Sequence, residues 1–188
     1  MGKFTFLKTD IDDLYLIKPS VFGDERGYFM ETYNEEFIPY IKHLDGSPAS
    51  FVQDNESRSV YGVLRGLHFQ KNSPQGKLVR VTSGEIFDVA VDLRKNSATY
   101  GKCYGAVLSE ENKLELYIPE GFAHGFVVLS ESATVAYKCT SYYDKSDEGG
   151  ILYCDSDLGI DWHIPTSDII LSDKDARLPT LSNLNFAF

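Results

Sequence analysis

Arg65 and His68 lie within the run Gly62 to Gln70, GVLRGLHFQ, whose Val63, Leu64, Leu67 and Phe69 would otherwise suit a buried β-strand. Both residue types can do chemistry. A guanidinium binds phosphate through paired N–H donors, and an imidazole takes and returns a proton near neutral pH. Strict alternation places Leu64, Gly66, His68 and Gln70 on one face and Arg65 on the other, so a regular strand cannot aim both inward. A bulge at Gly66 would, because a glycine inside a strand often marks a bulge that re-aims its neighbours. A solvent-facing Arg65 is the competing reading.

Further polar residues are embedded in apolar runs: Gln53, Asp54 and Asn55 in SFVQDNES, Lys77 in QGKLVRV, His124 in PEGFAHGF, and Tyr137 and Tyr143, which share a face, in TVAYKCTSYY. Taken singly, each reads more readily as ordinary packing or a satisfied surface group than as a functional residue. A metal site is not expected: the histidines are His43, His68, His124 and His163, no H-x-H spacing occurs, and a site would need ligands from distant segments. P-loop, G-x-G-x-x-G and G-x-S-x-G motifs are absent, as is a plausible catalytic cysteine motif. Cys103, Cys139 and Cys154 form no C-x-x-C pair and read as core thiols.

The elements that must position these residues read as β-strands. In Glu85 to Leu93 the residues Phe87, Val89, Val91 and Leu93 share one face and Asp88 and Asp92 the other. Similar alternations cover 79–82, 114–118, 126–129 and 134–143, with turn residues between them. Asn34 to His43 could form a short helix broken near Pro39. Many short strands and few helices predict an all-β fold, a cupin-like jelly-roll barrel with a few short helices.

At 188 residues the chain suits a single domain, 1–188. No run approaches the roughly 18 apolar residues of a membrane span, and no leader pattern opens the chain, so a cytoplasmic protein is expected. A net charge of −10 argues against a nucleic-acid partner. It is compatible with a few Arg and Lys side chains gathered on a diphosphate in one pocket.

In order, DERGYFMETYN, FVQDNESRSVYGVLRGLHFQ, QGKLVRVTSGEIFDVAVDLRKNSATYG, LSEENKLELYIPEGFAHGFVVLSE, YKCTSYY and LSDKDA resemble the dTDP-4-dehydrorhamnose 3,5-epimerase family, from about residue 20 to about residue 177. The resemblance implies inversion of C3 and C5 of dTDP-4-dehydro-6-deoxy-D-glucose, without metal or organic cofactor. It assigns His68 as base, Asp175 as the carboxylate orienting it with Asp88 as a second candidate, Lys77 as the stabiliser of the enolate oxygen, and Tyr137 as the acid on the opposite face. It maps Arg65, His124 and Lys174 toward the diphosphate and sugar and Gln53 and Asn55 toward the nucleotide. Tyr143 is implied to stack on the thymine, with Glu148 nearby. Phe22, Arg26, Phe29 and Glu31 resemble residues that cross from a neighbouring subunit, which implies a homodimer with an exchanged N-terminal strand. The departures are Tyr117 before IPEG and Leu152-Tyr153-Cys154, in places where tryptophan is more usual. The alternatives are an epimerase that inverts one carbon of a related nucleotide sugar, a non-catalytic nucleotide-sugar binding module, and a metal-dependent cupin enzyme.

Overall fold

Alternation makes strands of most of the chain before residue 151, and the computed structural model describes residues 2–188. In chain order the strands are β1 (Phe4–Lys8), β2 (Tyr15–Pro19), β3 (Val21–Asp24), β4 (Gly27–Met30), β5 (Gln53–Val60), β6 (Leu64–Gln70), β7 (Lys77–Ser83), β8 (Glu85–Asp92), β9 (Cys103–Ser109), β10 (Glu115–Ile118), β11 (Phe122–Val128), β12 (Ser132–Cys139) and β13 (Glu148–Gly150). They form a six-stranded sheet, β1-β2-β10-β7-β12-β5, and a five-stranded sheet, β13-β6-β11-β8-β9, with β3 and β4 apart as a hairpin. The crossed order of two facing antiparallel sheets is the jelly-roll arrangement that the strand pattern predicts.

Between the sheets lies an apolar layer that includes Val79, Val81, Ile86, Leu116, Ile118, Phe126 and Val135. Burying each such side chain contributes roughly 1.5–3 kcal/mol before entropy is counted. The Phe87, Val89 and Val91 face of β8 points the other way. It packs under the segment after β13, against Leu158, Trp162 and neighbouring residues. This strand is therefore covered on both faces, and Asp88 is buried with the inward set.

The structure departs from two expectations. Asn34 to His43 is not a helix: a single 3₁₀ turn spans Glu35–Phe37, capped by Asn34 Oδ1, which accepts the Glu36 N–H at 2.8 Å. Pro39 cannot donate to continue it. Of the three thiols, Cys139 is buried and Cys103 half-buried, but Cys154 is exposed and is not a core residue.

The pairing of β6 with β11 contains the bulge. His68 lies opposite His124 and Arg65 opposite Phe126, so three steps along β6 match two along β11. Gly66 sits there with φ +122°, and the peptide bond after it is cis. A Cβ on Gly66 would lie 2.5 Å from Gly125 Cα and 2.7 Å from the His124 carbonyl oxygen, so only glycine fits. The result is that Arg65 and His68 both line one cleft. Gly66→Ala is expected to cost on the order of 3 kcal/mol of stability, read as a lower urea midpoint at unchanged slope.

Candidate active site

The cleft has a volume of about 510 Å³ and opens where polar residues replace the apolar layer between the sheets. The five-stranded sheet supplies Arg65 and His68 from β6 and His124 from β11, and the six-stranded sheet supplies Lys77 from β7 and Tyr137 from β12. Tyr143, Glu148, Lys174 and Asp175 close its rim. A substrate entering it has an imidazole on one wall and a phenol with an ammonium on the other.

His68 Nε2 lies 2.6 Å from Asp175 Oδ1. Burial pushes the Asp175 carboxyl up, but the hydrogen bond and charge of His68, with Ser172 and Lys174, hold it below the usual carboxylate range. An ionised carboxylate only accepts, so Nε2 donates to it, and in the neutral ring the lone pair is on Nδ1. Ser172 Oγ fixes Asp175 in turn by accepting its backbone N–H at 3.1 Å. Asp88 does not serve His68: it sits 2.9 and 3.0 Å from His124 Nε2 through its two oxygens. The inward face of β8 and the pairing of β11 with β8 bring those two together, with Phe126 opposite Asp88 and His124 opposite Ala90.

Burial pulls the Lys77 ammonium below the ordinary lysine range, against the nearby Cys139, Asp88 and Glu148. Burial likewise raises the Tyr137 phenol, which keeps it protonated at neutral pH. Arg65 donates from Nε to Ser59 Oγ at 3.1 Å.

Gln53 and Asn55 stand on β5 and do not themselves line the cleft. Gln53 Oε1 accepts the Tyr143 N–H at 2.9 Å and its amide donates to Asn55 Oδ1 at 2.8 Å, while Asn55 donates to Cys139 Sγ at 3.6 Å. Asp54, on the other face of β5, pairs with Lys138 at 2.8 Å and stays outside the cleft. Phe22, Arg26, Phe29 and Glu31 do not line the cleft. Phe22 and Phe29 are 55% and 64% exposed on the hairpin, Arg26 pairs with Asp24, and Glu31 pairs with Lys3 at 3.1 Å.

Sequence reasoning missed three serines. Ser57 Oγ is buried without a hydrogen-bond partner among the described residues, and Ser57 lines the cleft. It shares the alternation of Gln53 and Asn55, a signal that could have found it. Ser59 and Ser172 act on Arg65 and Asp175 as described. Among the described residues no group of three or more His, Cys, Asp or Glu side chains is placed to hold a metal ion, and no helix is long and apolar enough to cross a membrane.

The family model described as dTDP-4-dehydrorhamnose 3,5-epimerase matches residues 8–183. A dTDP-4-dehydrorhamnose 3,5-epimerase of Methanothermobacter thermautotrophicus is 57% identical over 176 residues, which cover 93% of each chain. The crystal structure of such an epimerase from Elizabethkingia anophelis NUHP1 superposes with a TM-score of 0.91 at 54% identity, covering 98% of this chain and 100% of that one. A dTDP-6-deoxy-D-glucose-3,5-epimerase from Legionella pneumophila, solved in complex with dTDP-4-keto-L-rhamnose, superposes with a TM-score of 0.90 at 48% identity, covering 97% and 95%.

Proposed function

The chain belongs to the dTDP-4-dehydrorhamnose 3,5-epimerase family, and from that premise we propose how its own residues act. It is an isomerase that inverts C3 and C5 of dTDP-4-dehydro-6-deoxy-D-glucose to give dTDP-4-dehydro-L-rhamnose. Both carbons flank the C4 ketone, so removing either hydrogen leaves an enolate. Inversion then needs a base on one side of the sugar and an acid on the other.

The observation that carries this reading is the placement of His68 and Tyr137 on opposite walls of one cleft. His68 Nδ1 takes the proton, and Asp175 holds the imidazolium that forms. Lys77 faces the negative charge growing on the C4 oxygen, where a preorganised cation is most effective. Tyr137 delivers a proton from the far side. Each inversion leaves His68 with one proton more and Tyr137 with one fewer, and exchange with water resets both. Arg65, His124 and Lys174 take the diphosphate and sugar, Gln53 and Asn55 the nucleotide, and Tyr143 the thymine face. Incubation with the 4-keto sugar followed by NMR of the product tests the reaction: inversion at both carbons is expected, and inversion at one alone would reduce the chain to a single-centre epimerase.

The nucleotide pocket is completed in this reading by a second copy of the chain, whose Phe22, Arg26, Phe29 and Glu31 enter the cleft on an exchanged N-terminal strand. One observation supports it: the β3–β4 hairpin leaves two phenylalanines in solvent, and an isolated two-stranded hairpin is marginal in water. Phe29→Asp is expected to shift the protein from dimer to monomer in sedimentation and to weaken dTDP binding at least ~10-fold. A dimer with unchanged dTDP affinity would contradict the exchange.

A further inference from the structure

Glu148 stands on the side of His68 away from Asp175. Its Oε1 lies 3.6 Å from His68 Nδ1 and 2.8 Å from Lys174 Nζ, while its Oε2 accepts from Tyr143 OH at 3.0 Å. Its backbone is fixed, because β13 pairs with β6 and places Glu148 opposite Gln70 and Gly150 opposite His68. The side chain is 14% exposed. Burial pushes its carboxyl up, but the Lys174 hydrogen bond, the charges of His68 and Lys174 and the Tyr143 hydroxyl together hold it below the usual carboxylate range.

We infer that Glu148 is a positioning residue for His68: it is a second carboxylate that steadies the imidazolium from the Nδ1 side, and Lys174 and Tyr143 temper its hold. Two carboxylates lie within 4.0 Å of the ring, Asp175 at Nε2 and Glu148 at Nδ1. The other charged or titratable groups of the cleft come from every surrounding element. They are Lys77 on β7, Tyr137 on β12, Tyr143 between β12 and β13, Arg65 on β6 itself, Lys174 after β13, and His124, whose Nε2 is already engaged by Asp88. Lys77, Arg65 and Lys174 oppose a positive imidazole, whereas Glu148 favours it at the nitrogen that accepts the proton. In the proposed reading Lys174 also takes the diphosphate and sugar, and Tyr143 the thymine. A bound nucleotide that draws them away leaves Glu148 less neutralised and free to favour the imidazolium more strongly. The base is thereby strongest when the cleft is correctly filled.

This inference rests on the reading of His68 as the base. Its test uses the full chain, the 4-keto sugar nucleotide in D₂O and dTDP. Glu148→Gln keeps an acceptor for Lys174, turns its NH2 as a donor toward the Tyr143 oxygen, and removes the charge. Deuterium uptake at saturating substrate is expected to fall ~10-fold, and its decline on the acid side to begin about one pH unit lower, because an opposite charge at this range favours protonation by about that much or more. Affinity for dTDP should stay within about threefold. Lys174→Met leaves Glu148 charged and uncompensated, so the acid decline should move the opposite way, and this variant carries the test if Glu148→Gln fails to fold. Unchanged acid declines in the variants, with weakened dTDP binding, would overturn the inference and make Glu148 a nucleotide contact alone. Full exchange by His68→Ala would overturn the base assignment, and this inference with it. Loss of exchange in His68→Ala beside a wild-type profile in Glu148→Gln overturns this inference only.

Discussion

His68→Ala is expected to take up no measurable deuterium at C3 or C5 from D₂O, a loss of roughly 10³-fold or more, or about 4 kcal/mol of transition-state stabilisation. The size follows from His68 being the imidazole assigned to the chemistry, with Nε2 held by Asp175 at 2.6 Å and Nδ1 left to take the proton. His124 also lines the cleft with its Nε2 on both oxygens of Asp88, but in this reading it binds the diphosphate and sugar and does not replace His68. Affinity for dTDP should be retained, since Arg65, Gln53, Asn55 and Tyr143 are untouched. Loss of dTDP binding together with activity would show that the substitution had disturbed the fold around the Gly66 bulge and not the chemistry alone.

Tyr137→Phe separates deprotonation from inversion. The phenol belongs to the six-stranded sheet and His68 to the five-stranded one, so removing the hydroxyl leaves the base and Lys77 in place. The enolate should still form, and His68, after exchanging its proton with D₂O, should return deuterium to the face it came from. We expect product to fall about 10²- to 10⁴-fold while recovered substrate carries deuterium with its original configuration. Inverted product at the wild-type rate would mean that water or another group is the acid. An absence of exchange would mean that the hydroxyl is needed before the proton is removed.

Much of this was legible in the chain because β-strands announce themselves by a period of two. The run from Glu85 to Leu93 reads as the strand it is, and the conflict between Arg65 and His68 pointed to Gly66 before any coordinate did. The direction of a face was less legible. The apolar side of β8 packs under the irregular segment after β13, and the acidic side carries Asp88 inward to His124. An alternation shows that two faces differ without showing which partner layer each will meet. The pairing of His68 with Asp175 across more than a hundred residues was read from the family resemblance and not from periodicity, since a buried carboxylate on a 3₁₀ turn has no local signature. Asn34 to His43 misled because a good N-cap and two acidic residues opened a helical pattern that Pro39 does not allow to continue. Ser57 escaped notice because one hydroxyl on a polar edge strand looks like any other until its burial is known.

The central claim is that one cleft holds a base and an acid on opposite walls and exchanges protons with water at both carbons beside the ketone. The measurement that tests it most directly is NMR of the product formed by the unaltered protein in D₂O, taken before the slow uncatalysed exchange contributes. Deuterium at both C3 and C5, each in the inverted configuration, is the result this account predicts. Product inverted at both carbons but free of solvent deuterium at either would contradict it.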